Sequence, residues 1–486
     1  MKPRSFLRNS TLSALALTAS TLVAAPAGAQ QPPPPPPAAP PAQAMPAQAP
    51  DPIAAALAPR PGGLTPEEVA KLAAKTKPSV RAKQEDLKAA AAKVDQALVG
   101  FFPRVSLTAT YTRLSPVTQP PFMIAGQTIN SPFPVLLNNY SLVASVAVPV
   151  SDYVFRLTQS YASASHNEKA ARLTAEAEQL QAAADGKIAY FNWVRAKGSA
   201  VVAAEAVEQA KAHVDDAKKS FSVGLASKAD VLRIEAQLAA AQQSLAESQA
   251  FAAVAEEQLR TVINAPPDRQ LEIGSDVMHE AANPPTETLQ GLQQQAMQRR
   301  LEIRALDETI FSLKEVESLT KASYAPRIDA FADATYSNPN QRIVPSQDRF
   351  DFTWDVGVRL SWTLNDTFTT IGAAAEAKAR KNSVSEQKNG LRDGLRLEVA
   401  SAYADTIKAP PTIEAADRGM VAAEESLRVR RELFRNGKAT SSELVDAEAE
   451  LTRARLRRLD AHIGLLVARA KLDHATGRDV PVKPGE

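Results

Sequence analysis

The sequence predicts a mainly α-helical protein with a membrane β-barrel, built as two structural repeats of long coiled-coil helices and a β-hairpin. Three observations predict it. The stretch from Phe221 to Leu238 recurs as Phe434 to Leu451, displaced by 434 minus 221, or 213 residues. Long Ala-, Glu-, Gln- and Lys-rich runs with apolar residues at heptad spacing flank both copies. Between the helical runs lie two pairs of segments in which apolar and polar residues alternate strictly, the period of a strand.

The ends of the chain read differently from its middle. Residues 1–29 combine basic Lys2, Arg4 and Arg8, an apolar run from Leu12 to Ala25 and the small residues Ala27, Gly28 and Ala29, the pattern of a secretory signal peptide. Residues 30–63 are Pro, Ala and Gln, including Pro32 to Pro37, and are expected to form an extended tether without a packed core. Repeat 1 is assigned to 64–283, repeat 2 to 284–480 and a tail to 481–486.

In each repeat a helix leads into strands. The first runs from Thr65, whose hydroxyl caps together with Glu68, to about Leu98, where Phe101, Phe102 and Pro103 stop it. Strands are expected at 104–112 and 140–151, with Val105, Leu107, Ala109 and Tyr111 on one face of the first and Tyr140, Leu142, Ala144, Val146, Val148 and Val150 on one face of the second. A Pro-rich loop joins them. In repeat 2 the helix from Gln290 to Ala322 precedes strands at 326–337 and 352–365. The last strand points Trp354, Val356, Val358, Leu360, Trp362 and Leu364 one way and Asp355, Gly357, Arg359, Ser361 and Thr363 the other. Two Trp residues eight apart would lie about 26 Å apart along a strand, near the height of the apolar band of an outer-membrane barrel. Tyr111, Tyr140 and Tyr336, at strand ends on the apolar side, complete a candidate membrane girdle. Four strands cannot close a barrel and open edges cannot face lipid, so other subunits must supply the remaining strands.

Each long helix then runs to a hairpin tip, at 221–228 and 434–441. Ser227 with Asp230, and Thr440 with Glu443, form capping boxes that start the returning helices. The first returning helix carries heptads through Val231, Leu238, Leu245, Ala252 and Leu259, and the second through Ala447, Ala454, Ala461, Ala468 and Ala475. Pro410 and Pro411 are expected to interrupt and kink the second long helix.

Composition narrows the function. Lys and Arg number 56 and Asp and Glu 54; removing three basic signal residues leaves 53 against 54. Without a net basic field, no nucleic-acid partner is expected. The sequence has no Cys, so a disulfide, a thiolate metal site or a lipid-modified Cys is not expected. The five His residues are not spaced as a metal site, and no phosphate loop, nucleophile elbow or catalytic carboxylate frame occurs, so the chain reads as a non-enzyme without a cofactor.

These residues together resemble the TolC-type outer-membrane efflux protein family. The resemblance covers the chain after the tether and includes the tip sequence Val223-Gly224-Leu225-Ala226-Ser227 followed by Asp230. It implies a homotrimer in outer-membrane lipid, with a 12-stranded barrel and a 12-helix periplasmic tunnel. It also implies a passive exit duct whose tips dock on a periplasmic adaptor linked to an inner-membrane pump of the RND or ABC class. By position it assigns adaptor docking to Val223, Gly224, Leu225, Ala226 and Ser227 and to Asn436, Gly437, Lys438, Ala439 and Thr440. It assigns the channel constriction to Asp446 and Glu443, with Asp230 a further candidate. Capping already explains Glu443 and Asp230, whereas Asp446 lies too deep in its helix to cap. Ala439 stands where the best-known member has an Arg that locks the closed mouth, so any lock must be built differently. A soluble periplasmic coiled-coil scaffold or adaptor is the competing reading. The outward Trp354 and Trp362 discriminate against it.

Overall fold

The computed structural model describes residues 52–117, 122–124, 127–129, 135–279 and 283–479. The expected signal peptide, most of the tether and the tail lie outside them. Repeat 1 contains helices α2 (Pro66–Thr76) and α3 (Pro78–Val99), strands β1 (Arg104–Arg113) and β4 (Asn138–Val148), and helices α4 (Val150–Phe155), α5 (Leu157–Ser222) and α6 (Lys228–Ile263). Repeat 2 answers with α7 (Leu289–Arg299), α8 (Leu301–Lys321), β5 (Arg327–Asn338), β6 (Asp351–Ser361), α9 (Leu364–Arg435) and α10 (Ser441–Ala475). A short α1 (Pro52–Ala56) precedes both repeats, and a small hairpin, β2 (Phe122–Ile124) with β3 (Gln127–Ile129), lies within the expected Pro-rich loop. No helix among the described residues is long and apolar enough to cross a membrane.

The two long helices are the spine. At 1.5 Å per residue the 66 residues of α5 span about 100 Å, and α3 and α6 pack along it at different heights, as α8 and α10 do along α9. The heptad positions of α6 are its least exposed face, and all five heptad alanines of α10 are buried. Small side chains there let neighbouring backbones approach.

Each first helix of a repeat is broken, against the expectation of one continuous helix. Lys77 has an extended ψ of 130° before Pro78, which cannot continue the ladder. Repeat 2 breaks at the equivalent Arg300, with ψ 121° and no proline nearby. Both basic residues turn to the following long helix. Lys77 Nζ lies 2.7 Å from Asp185 on α5, and Arg300 Nη1 lies 3.1 Å from Glu398 on α9 while also donating to the His474 carbonyl. Glu302 completes the Arg300 cluster at 2.8 Å. Burial opposes the Arg300 charge, but the two carboxylates more than offset it and raise its pKa.

The tether ends earlier than its composition implies. Ile53 and Leu57 are fully buried in a core that also holds Trp193, Tyr190, Leu259 and Leu459, so residues 52–63 belong to the packed protein. Leu64 forms a parallel bridge with Ile273, flanked by Arg60 N–H donating to the Ile273 carbonyl and Gly274 N–H to that of Leu64. The expected irregular segment after α6 thus pairs with the start of the ordered chain. Two glycines permit it: a Cβ at Gly274 would lie 2.3 Å from the Gly63 carbonyl oxygen, and one at Gly63 2.4 Å from that of Ile273.

The sheet runs β1-β4-β5-β6, all antiparallel, leaving β1 and β6 as edges. The second and fourth strands end sooner than expected. Pro149 stops β4, so Val150 opens α4, and β6 ends at Ser361, placing Trp362 just beyond the strand and Leu364 in α9. Helix α9 runs unbroken through Pro410 and Pro411, so the expected interruption does not occur.

Gly274→Ala should lower the apparent melting temperature of the detergent-solubilised protein, an overpacking cost of about 1–3 kcal/mol. Gly419→Ala, with open space around its Cβ in α9, should leave it unchanged or raise it slightly.

Candidate functional site: the sheet faces and the hairpin tips

Register sorts the sheet into rows. On one face stand Val105, Val146, Ala332 and Val356, then Leu107, Ala144, Ala334 and Trp354, then Ala109, Leu142, Tyr336 and Phe352. Every member is apolar or aromatic, and the larger ones are open to the surroundings, with Val105 76% and Val356 67% exposed. The opposite face carries Ser106, Ser145, Asp333 and Asp355 in one row and Thr108, Val143, Thr335 and Thr353 in the next. At the end away from the helices, Tyr111 and Tyr140 lie 5.0 Å apart between ring centroids, and Phe350 stacks on Tyr336 at 5.1 Å and approaches Tyr140 at 6.0 Å. These three tyrosines cluster at one rim, and Trp362 lies towards the helical end. Phe350 and Phe352, placed by loop geometry and register, join the aromatic set without having been expected.

At the opposite pole are the tips. Gly224 and Gly437 have φ of +77° and +68°, the left-handed conformation that lets each helix close on its last carbonyls. Leu225 N–H donates to the Ser220 carbonyl at 2.9 Å, and Lys438 N–H to that of Leu433 at 2.8 Å. Both capping boxes form. Ser227 Oγ accepts from the Asp230 N–H while the Ser227 N–H donates to Asp230, and Thr440 and Glu443 repeat the exchange. Val223 and Leu225 are 68% and 61% exposed, so the first tip presents an apolar turn. Asn436, Gly437 and Lys438 expose a polar one.

The three carboxylates have different surroundings. Asp230 accepts from its own cap and, at 2.5 Å, from the Ser441 hydroxyl of the other tip, bonds that hold its carboxyl below the usual range. Glu443 accepts from Thr440 N–H and pairs with Arg430 at 2.6 Å, with the same effect on its pKa. Asp446 is exposed and has no hydrogen bond or ion pair among the described residues.

Sequence reasoning missed the links between the hairpins. Arg435 Nη2 lies 2.9 Å from Asp216, joining α9 to α5 two residues before Gly437. Deeper in, His213 of α5, 1% exposed, sits 2.5 Å from Glu448 of α10 and 3.3 Å from Arg431 of α9. Arg455 to Glu205 at 2.6 Å continues the column upward. Burial first, then the Arg431 charge, push the His213 imidazole down to about 4. The one sequence signal was a His within the otherwise small apolar stripe of Ala210, Val214 and Ala217. Among the described residues no three metal-ligating side chains converge.

The outer membrane efflux protein family model matches residues 69–265 and 292–478. Among solved structures, the chain is similar to the outer-membrane channel OprN, at 20% identity over 87% of this chain and 95% of that one, with a TM-score of 0.69. It is similar to the CmeC outer membrane channel of Campylobacter jejuni, at 14% identity over 85% and 88% with a TM-score of 0.72. VceC of Vibrio cholerae matches at 17% identity over 85% and 96% with a TM-score of 0.70. At these identities the likeness is one of fold. No curated protein matches the chain.

A folded state that keeps His213 neutral binds fewer protons than the unfolded chain between pH 6.5 and 4, so acidification across that window should destabilise the protein, by up to about 3 kcal/mol from this group. Melting curves should show His213→Gln losing less stability than the wild type between pH 7 and 4.

Proposed function

The chain belongs to the outer membrane efflux protein family, and from that membership we propose that it is the outer-membrane duct of a tripartite export system. Three copies, each giving four strands, close a barrel of twelve, and their helices close a tunnel through the periplasm. The observation that carries this reading is the sheet: three successive apolar rows uncovered by any described helix, polar rows behind them, and two unpaired edges. A face of this kind suits hydrocarbon outside and water inside, and only closure with other copies satisfies the edge N–H and C=O groups. The same rows argue against a soluble coiled-coil scaffold, which would leave them in water.

The tips form the periplasmic mouth. Their exposed turns, Val223 to Ser227 and Asn436 to Thr440, meet a periplasmic adaptor, which joins the duct to an inner-membrane pump of the RND or ABC class. Three chains bring six tips of two alternating kinds, one apolar and one polar. Asp446 from three chains forms the ring that narrows the entrance and attracts cations. Glu443 contributes less, because Arg430 neutralises it. The column from Asp230–Ser441 through Arg435–Asp216 to the buried Arg431–His213 contact holds the two hairpins together and replaces the single Arg lock that Ala439 cannot supply.

Fractionation should recover the protein with the outer membrane as a trimer, and the purified trimer should conduct ions in a planar bilayer. Asp446→Ala should raise single-channel conductance or weaken block by multivalent cations added at the entrance, with Glu443→Ala adding little. Recovery as a soluble periplasmic protein would overturn the duct.

A further inference from the structure

The connection between β5 and β6 leaves the rim and folds back over the polar face of the sheet. Asn340, 3% exposed, donates to the Asp351 carbonyl at 3.1 Å and to Thr353 Oγ1 at 3.2 Å, and Thr353 stands on the polar side. Arg342 reaches further down. Its Nη1 donates to the Trp354 carbonyl at 2.8 Å and its Nη2 to Asp355 Oδ1 at 3.0 Å. The loop returns to the rim at Phe350, stacked on Tyr336 of the apolar face. It therefore straddles the sheet, with one end among the aromatic residues and its cationic middle against the polar face.

That cation meets an unfavourable arrangement. Asp333 and Asp355 face each other directly across β5 and β6, and like charges at opposed positions repel. Ser106 and Ser145 complete the row without charge. The charges at this level are thus two carboxylates and one guanidinium, a net −1 per chain. We propose that, in the trimeric duct of the previous section on which this inference rests, the inward-folded loop forms a second, charge-selective constriction at the outlet, with Arg342 as its specificity-determining residue. Three chains give a net charge of −3 at that level, which favours departing cationic solutes over anionic ones. Arg342 limits how strongly the row holds them. A row of six uncompensated carboxylates would retain a polyvalent cation, whereas a partly neutralised one lets it pass, the balance that any conducting filter needs.

The test uses the full-length trimer in a planar bilayer, with hexaamminecobalt(III) as a trivalent probe added separately to the outlet side and the entrance side. Arg342→Gln takes the row from −1 to −2 per chain and should strengthen outlet-side block by about tenfold. Asp355→Asn takes it from −1 to 0 and should weaken outlet-side block. Entrance-side block should be unchanged in both. If the wild-type trimer conducts and neither variant changes outlet-side block, or if both change block equally from the two sides, the outlet filter is overturned and the duct stands. A wild-type protein that forms no conducting trimer overturns both.

Discussion

An antiparallel sheet with an uncovered apolar face and two unpaired edges is the constraint on which the rest of the structure depends. In water the face would cost free energy in proportion to its area, and in hydrocarbon each unsatisfied N–H or C=O at the edges would cost several kcal/mol. Neither solvent suits the single chain. Lipid against the apolar rows and further copies against β1 and β6, as in the proposed duct, would resolve both costs together. The same demand explains why the strands are so short in polar interruption on one side and so rich in Ser, Thr and Asp on the other: each residue must match the medium its face meets.

Below the sheet the problem becomes one of keeping two very long helices in register. α5 and α9 each span far more residues than any segment packed beside them, so their neighbours must be spliced. Lys77 and Arg300 mark the splices, and in both repeats the splice is fastened by a basic side chain at the break reaching an acidic residue on the adjacent long helix. Repeat 1 uses proline to enforce the break. Repeat 2 uses a buried Arg whose partners on α9 and α10 exist only once the bundle is assembled. The two halves reach one geometry by different local means, which is why the second break has no signature in its own stretch of sequence.

The same distinction separates what was legible in the sequence from what was not. Capping boxes at Thr65, Ser227 and Thr440 were readable because hydroxyl and carboxylate sit three residues apart and act on their own backbone. Strand faces were readable because period 2 is a local property, and the register then aligned them into rows. The burial of Ile53 and Leu57, the Gly63–Gly274 contact and the approaches of His213 to Glu448 and Arg435 to Asp216 join residues far apart in the chain. The last two span more than 200 positions. Composition misled at the tether, where an Ala- and Pro-rich stretch holds two large apolar residues that are buried in the core. Pro410 and Pro411 misled in the opposite sense: α9, which packs against α8 and α10, continues through them.

In the duct proposed above, a lock at the tips need not reside in one residue. A single exposed ion pair contributes at most about 1 kcal/mol, too little to hold two hairpins of this length. The column here mixes an exposed pair at Arg435, a charge-assisted hydrogen bond from Ser441 to Asp230, and a buried imidazole between a guanidinium and a carboxylate. Their values differ because their exposures differ. The outer ones are screened by salt and separate at small cost, whereas opening at His213 would admit water to a core containing Leu427, Leu444 and Leu451. The resistance to separation therefore rises from tip to shaft, so that the first residues to part are those nearest the mouth. A gradient of this kind favours opening by peeling from the end, with the coiled coil above it as the stop.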